Sequence, residues 1–256
     1  MTPEIDTELF EFVNKIASDA ASLTLDWFQQ KDLKVDLKSD RTEVTDADKA
    51  VEEYLRNIIG THFPNDTVVG EEEEVSSGSS KRKWVIDPID GTASFVRGVP
   101  LYSSLLALFD EHGPAIGTIY LPAIKEYVAA GRGLGVHSSR VDPRVSSIND
   151  LEKSCISSSS FDMPWWPDKA LLNILSSGAK TRTWGDGYGY FLVATGQIEA
   201  MIDPSLYVYD IAPMLTILPE CGGKITTWKG ESNLLDREGW IATNGHVHER
   251  LLALLQ

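Results

Sequence analysis

The chain has 256 residues, 42% of them hydrophobic, enough for the packed core of one large domain or of two small ones sharing an interface. With 23 basic against 38 acidic side chains the formal net charge is −15, which argues against non-specific nucleic-acid binding and against attraction to an anionic membrane. No apolar run approaches the roughly 20 residues of a spanning helix, Met1 to Glu4 carry no basic leader, and Cys155 and Cys221 make no disulfide framework, so a cytoplasmic protein is expected.

In chain order, apolar residues from Leu9 to Phe28 recur at helical spacing and predict a helix over Thr7 to Gln30. Lys31 to Glu43 is polar, with strand-like alternation over Lys34 to Lys38, and is expected to form a hairpin or loop. A second helix is predicted from Asp46 to Thr61, with Thr45 or Asp46 as its N-cap. Strands follow at Lys83 to Asp87, Leu101 to Phe109, Ala115 to Leu121 and Glu126 to Ala130, separated by Gly- and Pro-containing turns. Val75 to Ser80 is read as an exposed loop tip, and Gly131 to Gly135 as a β-turn that opens no helix. The second half alternates strands at Cys155 to Ser158, Ala200 to Ile202, Lys224 to Thr226 and Trp240 to Thr243 with helices at Asp168 to Ser177, Gly187 to Thr195, Tyr209 to Cys221 and His246 to Leu255. Trp165 and Trp166, between two prolines, suit either a packed loop or a contact patch. The pattern predicts an α+β fold, a layered αβαβα sandwich, as one domain over 1–256 with halves at 1–145 and 146–256 and no linker.

Four segments carry carboxylates where solubility is a poor explanation. In Trp84-Val85-Ile86-Asp87-Pro88-Ile89-Asp90-Gly91-Thr92 an apolar strand ends in two aspartates three positions apart. Buried together they repel one another and lose hydration unless a cation lies between them. Carboxylate and carbonyl oxygens suit a hard divalent ion such as Mg²⁺. If Gly91-Thr92 opens a helix, its N–H groups offer a cradle for an anion. Glu71 to Glu74 taken alone read as a solvated acidic face, although the first of them leave a Val-Val-Gly strand end; Asp48, at a predicted helix start, is also explained as an N-cap, and Asp210 equally well by capping. His246 and His248 lack a third ligand, so capping or surface placement is expected of them.

Together, Val44-Thr45-Asp46-Ala47-Asp48, Gly70-Glu71-Glu72, Asp87-Pro88-Ile89-Asp90-Gly91-Thr92 and Tyr209-Asp210-Ile211-Ala212 resemble the inositol monophosphatase-like family of Mg²⁺-dependent, Li⁺-sensitive phosphatases, in the family's order and over almost the whole chain. The resemblance implies an αβαβα sandwich and a homodimer. It makes Glu71, Asp87, Asp90 and Asp210 metal-binding carboxylates, adds the Ile89 carbonyl, and calls for two or three Mg²⁺ ions, with Mn²⁺ as a substitute. Thr92 and Asp48, with Glu71, would position the attacking water, and the Gly91 and Thr92 amides would receive the phosphate. Lys38 looks like the family's loop lysine, with Lys34 competing for that place. Tyr209 stands where the family usually has Trp, Ser94 where it has Asn, and Pro213 where a small residue is common; none of these removes a metal ligand.

Thr183 to Tyr190 and Phe95 to Pro100 look like the histidinol-phosphate phosphatase branch of that family. In that reading Asp186 and Asp203, with Asp90, face the substrate and suit a cationic alcohol better than an uncharged polyol. A cap at Asp186 and a turn at Asp203-Pro204 explain the same residues without a substrate, and Tyr190 is assigned to the core. Inositol monophosphate or another small sugar or nucleotide phosphate is the alternative substrate. A catalytically silent binding protein on the same fold, associated with phospholipid or RNA, is the rival class; the intact carboxylates and the net charge oppose it.

Overall fold

A computed structural model describes residues 2–38, 42–161, 166–234 and 236–256. Trp165 lies outside them, whereas Trp166 is buried and stacks on Phe161. The first helix, α1 (Thr7–Leu23), is shorter than its periodicity predicts. Thr24 donates back to the Ala21 carbonyl and pairs with the Tyr102 hydroxyl at 2.8 Å, and a single 3₁₀ turn follows. The chain then turns so that Trp27 and Phe28 pack on Phe95 and Tyr102, a tertiary contact that overrides helical propensity. The polar stretch is a short antiparallel hairpin, β1 (Val35–Leu37) and β2 (Glu43–Thr45). Thr45 caps α2 (Asp46–His62).

Among the described residues a six-stranded sheet is built from β3 (Thr67–Gly70), β4 (Lys83–Asp90), β5 (Ser103–Asp110), β6 (Gly113–Leu121), β7 (Glu126–Gly131) and β8 (Gly135–Ser138) in that order. Only the β3–β4 pair is parallel. Strand β4 does not stop at Asp87 as predicted. Pro88 sits in a register shift between Asp87 and Asp90, where a missing N–H is tolerated, and pairing resumes at Asp90↔Ser103. The left-handed Gly91 (φ 83°) then starts α3 (Thr92–Val96).

The second half holds β9 (Cys155–Ser157), α4 (Asp168–Leu175), β10 (Lys180–Arg182), α5 (Asp186–Ala194), β11 (Ala200–Leu206), α6 (Val208–Ile211), α7 (Met214–Glu220), β12 (Lys224–Thr227), β13 (Glu238–Thr243) and α8 (His248–Leu255). Its five-stranded sheet runs β10-β9-β11-β13-β12. The edge strands β8 and β10 are too short and polar to have been read from the sequence. The single helix predicted over Tyr209 to Cys221 is two helices, because Pro213 lacks the donor that would continue α6 into α7. His246 is exposed, but His248 is fully buried, paired with the Thr226 and Thr243 hydroxyls at 3.1 and 3.0 Å, which corrects the surface or capping placement.

Helices α1 and α2 cover one face of the large sheet, around Trp84, Leu55 and Ile59. Helices α5 and α7 fill the space between the two sheets, around Phe191, Ile217 and Trp240. Helices α4 and α8 cover the outer face of the small sheet. The layers therefore run αβαβα. Where the α6–α7 junction meets the large sheet, the contact is made of Val85, Ala107 and Ala212, and Val85, Ala107 and Gly117 are register partners across three strands. A Cβ on Gly117 would lie 2.2 Å from the Pro213 carbonyl oxygen, so backbone rests on backbone there.

Candidate active site

Strand β4 and helix α6 converge on one point, where oxygens of Asp87, Asp90 and Asp210 all lie within 4.8 Å of one another. Side chains three apart on a regular strand point to opposite faces, so the register shift at Pro88 is what brings Asp87 and Asp90 together. Asp210 is third in α6, where its Oδ2 accepts the Tyr207 N–H at 2.8 Å. Asp48 occupies the same position in α2: its Oδ2 accepts the Thr45 N–H at 2.8 Å, and its Oδ1 faces Thr92 Oγ1 at 3.5 Å. Both aspartates are therefore helix caps, each held by one oxygen; Asp210 belongs to the carboxylate cluster, and among the described residues Asp48 reaches it only through Thr92. Thr92 Oγ1 also donates to the Ile89 carbonyl at 3.0 Å.

Asp90 Oδ2 accepts from Ser103 Oγ at 2.7 Å and from the Gly187 N–H at the start of α5. Asp87 has no such support. Both of its oxygens are buried without a hydrogen bond among the described residues, and its polar neighbours Glu71, Asp90 and Asp210 are acceptors like itself. Burial and then the neighbouring carboxylates hold Asp87 well above the usual carboxylate range. Burial, Asp186 and Asp210 do the same to Asp90. Burial pushes Asp210 up to about 8 and Asp48 up to about 6, each against the pull of the backbone N–H it accepts. A shared proton can bridge one pair of carboxyls but leaves the others crowded, whereas a divalent cation answers all of them at once, so this donor set fits a hard metal ion.

Glu71 leaves the end of β3, and its carboxyl is raised by burial despite Lys38. Lys38 Nζ contacts Glu71 Oε1 at 2.6 Å and Glu72 Oε1 at 2.8 Å. Burial works against its charge, but those two carboxylates outweigh it and raise the ammonium. Of the two lysines considered, Lys38 lines the cleft; Lys34 is exposed and does not. The cleft holds about 600 Å³, and Glu71, Asp90, Gly91, Thr92, Asp186 and Asp210 are among its lining residues.

Asp186 opens α5 with φ 55°, and its N–H donates to Ser159 Oγ at 2.9 Å. Its carboxylate overhangs Gly91, where an added Cβ would sit 2.7 Å from Oδ2, and burial followed by Asp203 pushes it up to about 6. Asp203 is 1% exposed, with Ser159 N–H at 2.8 Å and Tyr190 Oη at 3.0 Å donating to it. Tyr190 belongs to the core through its ring and to the site through its hydroxyl. Ser103 and Ser159, which hold Asp90 and Asp203, and Tyr207, which lines the cleft, carried no signal in the sequence beyond ordinary strand or loop polarity.

Comparison with known proteins agrees with this geometry. The profile of the inositol monophosphatase family matches residues 6–256. A histidinol-phosphatase of Chlorobaculum parvum is 34% identical over 100% of this chain and 97% of its own length, and one of Mycobacterium tuberculosis is 36% identical over 94% and 95%. The solved structure of a Thermotoga maritima IMPase superposes with a TM-score of 0.87 at 25% identity, covering 97% of each chain.

Proposed function

Because the chain belongs to the inositol monophosphatase family of phosphoric monoester hydrolases, we propose that its substrate is L-histidinol phosphate, hydrolysed to L-histidinol and phosphate. The observation that carries the choice of ester is Asp186, an acidic group that overhangs the Gly91 turn and lines the same cleft as Asp203. An anionic wall there selects a cationic alcohol and gives an uncharged polyol little. The two relatives named as histidinol-phosphatases support the same choice.

In this reading Glu71, Asp87, Asp90, Asp210 and the Ile89 carbonyl hold two or three Mg²⁺ ions, with Mn²⁺ as a substitute. Bound there, such ions supply positive charge to the phosphoryl oxygens and acidify the attacking water. The chain's own work is orientation. The Gly91 and Thr92 N–H groups, which have no acceptor within α3, receive the phosphate. Thr92 Oγ1 and Asp48 Oδ1 fix the water, with Asp48 and Glu71 available to take its proton. Lys38 closes the charge balance between Glu71 and Glu72. Asp186, with Asp90 and Asp203, faces the ammonium and imidazole of the leaving alcohol.

The enzyme is read as one phosphatase domain over 1–256, since both halves contribute to the cleft. It is further read as a cytoplasmic homodimer: both cysteines are free, as a reducing compartment leaves them, and a monomer mass by light scattering would reject the dimer. For substrate, Asp186→Asn is expected to raise KM for L-histidinol phosphate by about tenfold or more, roughly 1.4 kcal/mol, and that for inositol monophosphate by less than about twofold. Equal effects on the two esters would remove the histidinol assignment.

A further inference from the structure

Helix α2 carries a carboxylate that the reaction does not use. Ala47, Asp48, Val51, Glu52, Leu55 and Ile59 form its buried stripe, and Glu52 is 0% exposed. Its oxygens take the N–H of Glu72 at 2.8 Å and of Glu73 at 3.1 Å, with Arg56 Nε at 2.8 Å. On the other side of Glu71, a Cβ on Gly70 would fall 2.0 Å from Glu52 Oε1, so the backbone lies directly on the carboxylate. Arg56 extends the brace, donating to the Glu73 carbonyl at 3.1 Å and to Ser76 Oγ at 3.2 Å.

We propose that Glu52 is a positioning residue: by gripping residues 70, 72 and 73 it sets the direction in which Glu71 and Glu72 leave β3 toward the metal centre. Past Gly70 the chain leaves the ladder, so the N–H groups of Glu72 and Glu73 need acceptors from elsewhere. Four consecutive glutamates repel one another and would splay the loop. Placing a fifth carboxylate under them is a poor choice for stability, since a buried ion pair is seldom better than an apolar pair of the same volume. Glu52 makes sense where one loop conformation is required. It touches neither ester nor cation and acts through Glu71, so this inference rests on Glu71 being a metal ligand.

The test titrates Mg²⁺ calorimetrically into the metal-free full chain, with the melting temperature and the KM of the ester at saturating Mg²⁺ measured alongside. Glu52→Gln, which cannot accept all three bonds, is expected to raise the Mg²⁺ dissociation constant by about tenfold or more while KM moves less than about threefold. Arg56→Lys, which keeps a cation on Glu52, should stay within about threefold of wild type in Mg²⁺ affinity. Wild-type Mg²⁺ affinity in Glu52→Gln, even with a lowered melting temperature, would leave a purely structural role and overturn the proposal. Should Glu52→Gln not fold, Arg56→Gln decides on the same titration, unchanged affinity overturning the proposal there too. A wild-type chain that binds no Mg²⁺ would defeat the metal assignment itself, and this inference with it.

Discussion

Among the described residues the two buried oxygens of Asp87 accept no hydrogen bond, and they lie beside Glu71, Asp90 and Asp210. Removing its charge should therefore help the metal-free fold while ruining the site. Asp87→Asn is expected to lower kcat/KM by about a thousandfold or more, roughly 4 kcal/mol, because it deletes a ligand and part of the charge that holds the cation. In chelator the same variant should melt higher than wild type, by about 2–4 °C for each kcal/mol of repulsion relieved. A variant that is both active and less stable would contradict the metal reading. At this scale the sequence was informative where chemistry is spelled out by neighbours: an aspartate pair flanking Pro88-Ile89 after an apolar strand has few structural explanations. It was silent on Ser103, Ser159 and Tyr207, whose roles come from distant chain segments meeting. Glu52 had a signal that went unused, an acidic residue on the apolar stripe of a helix, four positions before an arginine.

Strands and helices contribute through how closely they approach. Gly117→Ala would drive a methyl into the Pro213 carbonyl, 2.2 Å away, and lift the α6–α7 junction off the large sheet. Such overpacking is expected to destabilise by about 1–3 kcal/mol, seen as a lower melting temperature. It should also weaken Mg²⁺ binding, because Asp210 moves with the junction. Helix α8 is tied to β12 and β13 by the buried His248, whose burial, with Lys224 nearby, lowers it from 6.5 to about 4; Glu249 pulls the other way. The folded state thus binds this proton less well than the unfolded one. Its contribution is complete above about pH 6.5 and is lost as pH falls toward 4, by up to about 3 kcal/mol. Chemical denaturation between pH 4 and 7 should show that slope in wild type and a shallower one in His248→Gln. Hydrophobic periodicity located most elements but not their ends. Helix α1 stops early for an aromatic contact, and β4 runs on because a proline can sit in a bulge.

The whole molecule carries −15 charges and gathers several of its carboxylates in one cleft between the two halves. Divalent cations should therefore stabilise it far more than monovalent salt, which screens buried charges poorly. At about 100 times its dissociation constant, Mg²⁺ is expected to add about 2.7 kcal/mol per site, or roughly 5–10 °C in melting temperature. A scan showing the same shift with NaCl at equal ionic strength would refute site binding. The sandwich order was legible from the alternation of patterns; the juxtaposition of the α6–α7 junction with Val85, Ala107 and Gly117 was not, since no local rule tells a small residue that another backbone will lie on it. That junction has a historical consequence. Surface positions can drift through generations of substitution without altering the gap between Asp87 and Asp210, because it is set by the small buried contacts of Val85, Ala107 and Ala212 and by the backbone of Gly117 against Pro213. Gly117 has far less latitude: any side chain there meets the Pro213 carbonyl oxygen, so a replacement calls for a matching shift of the opposing junction.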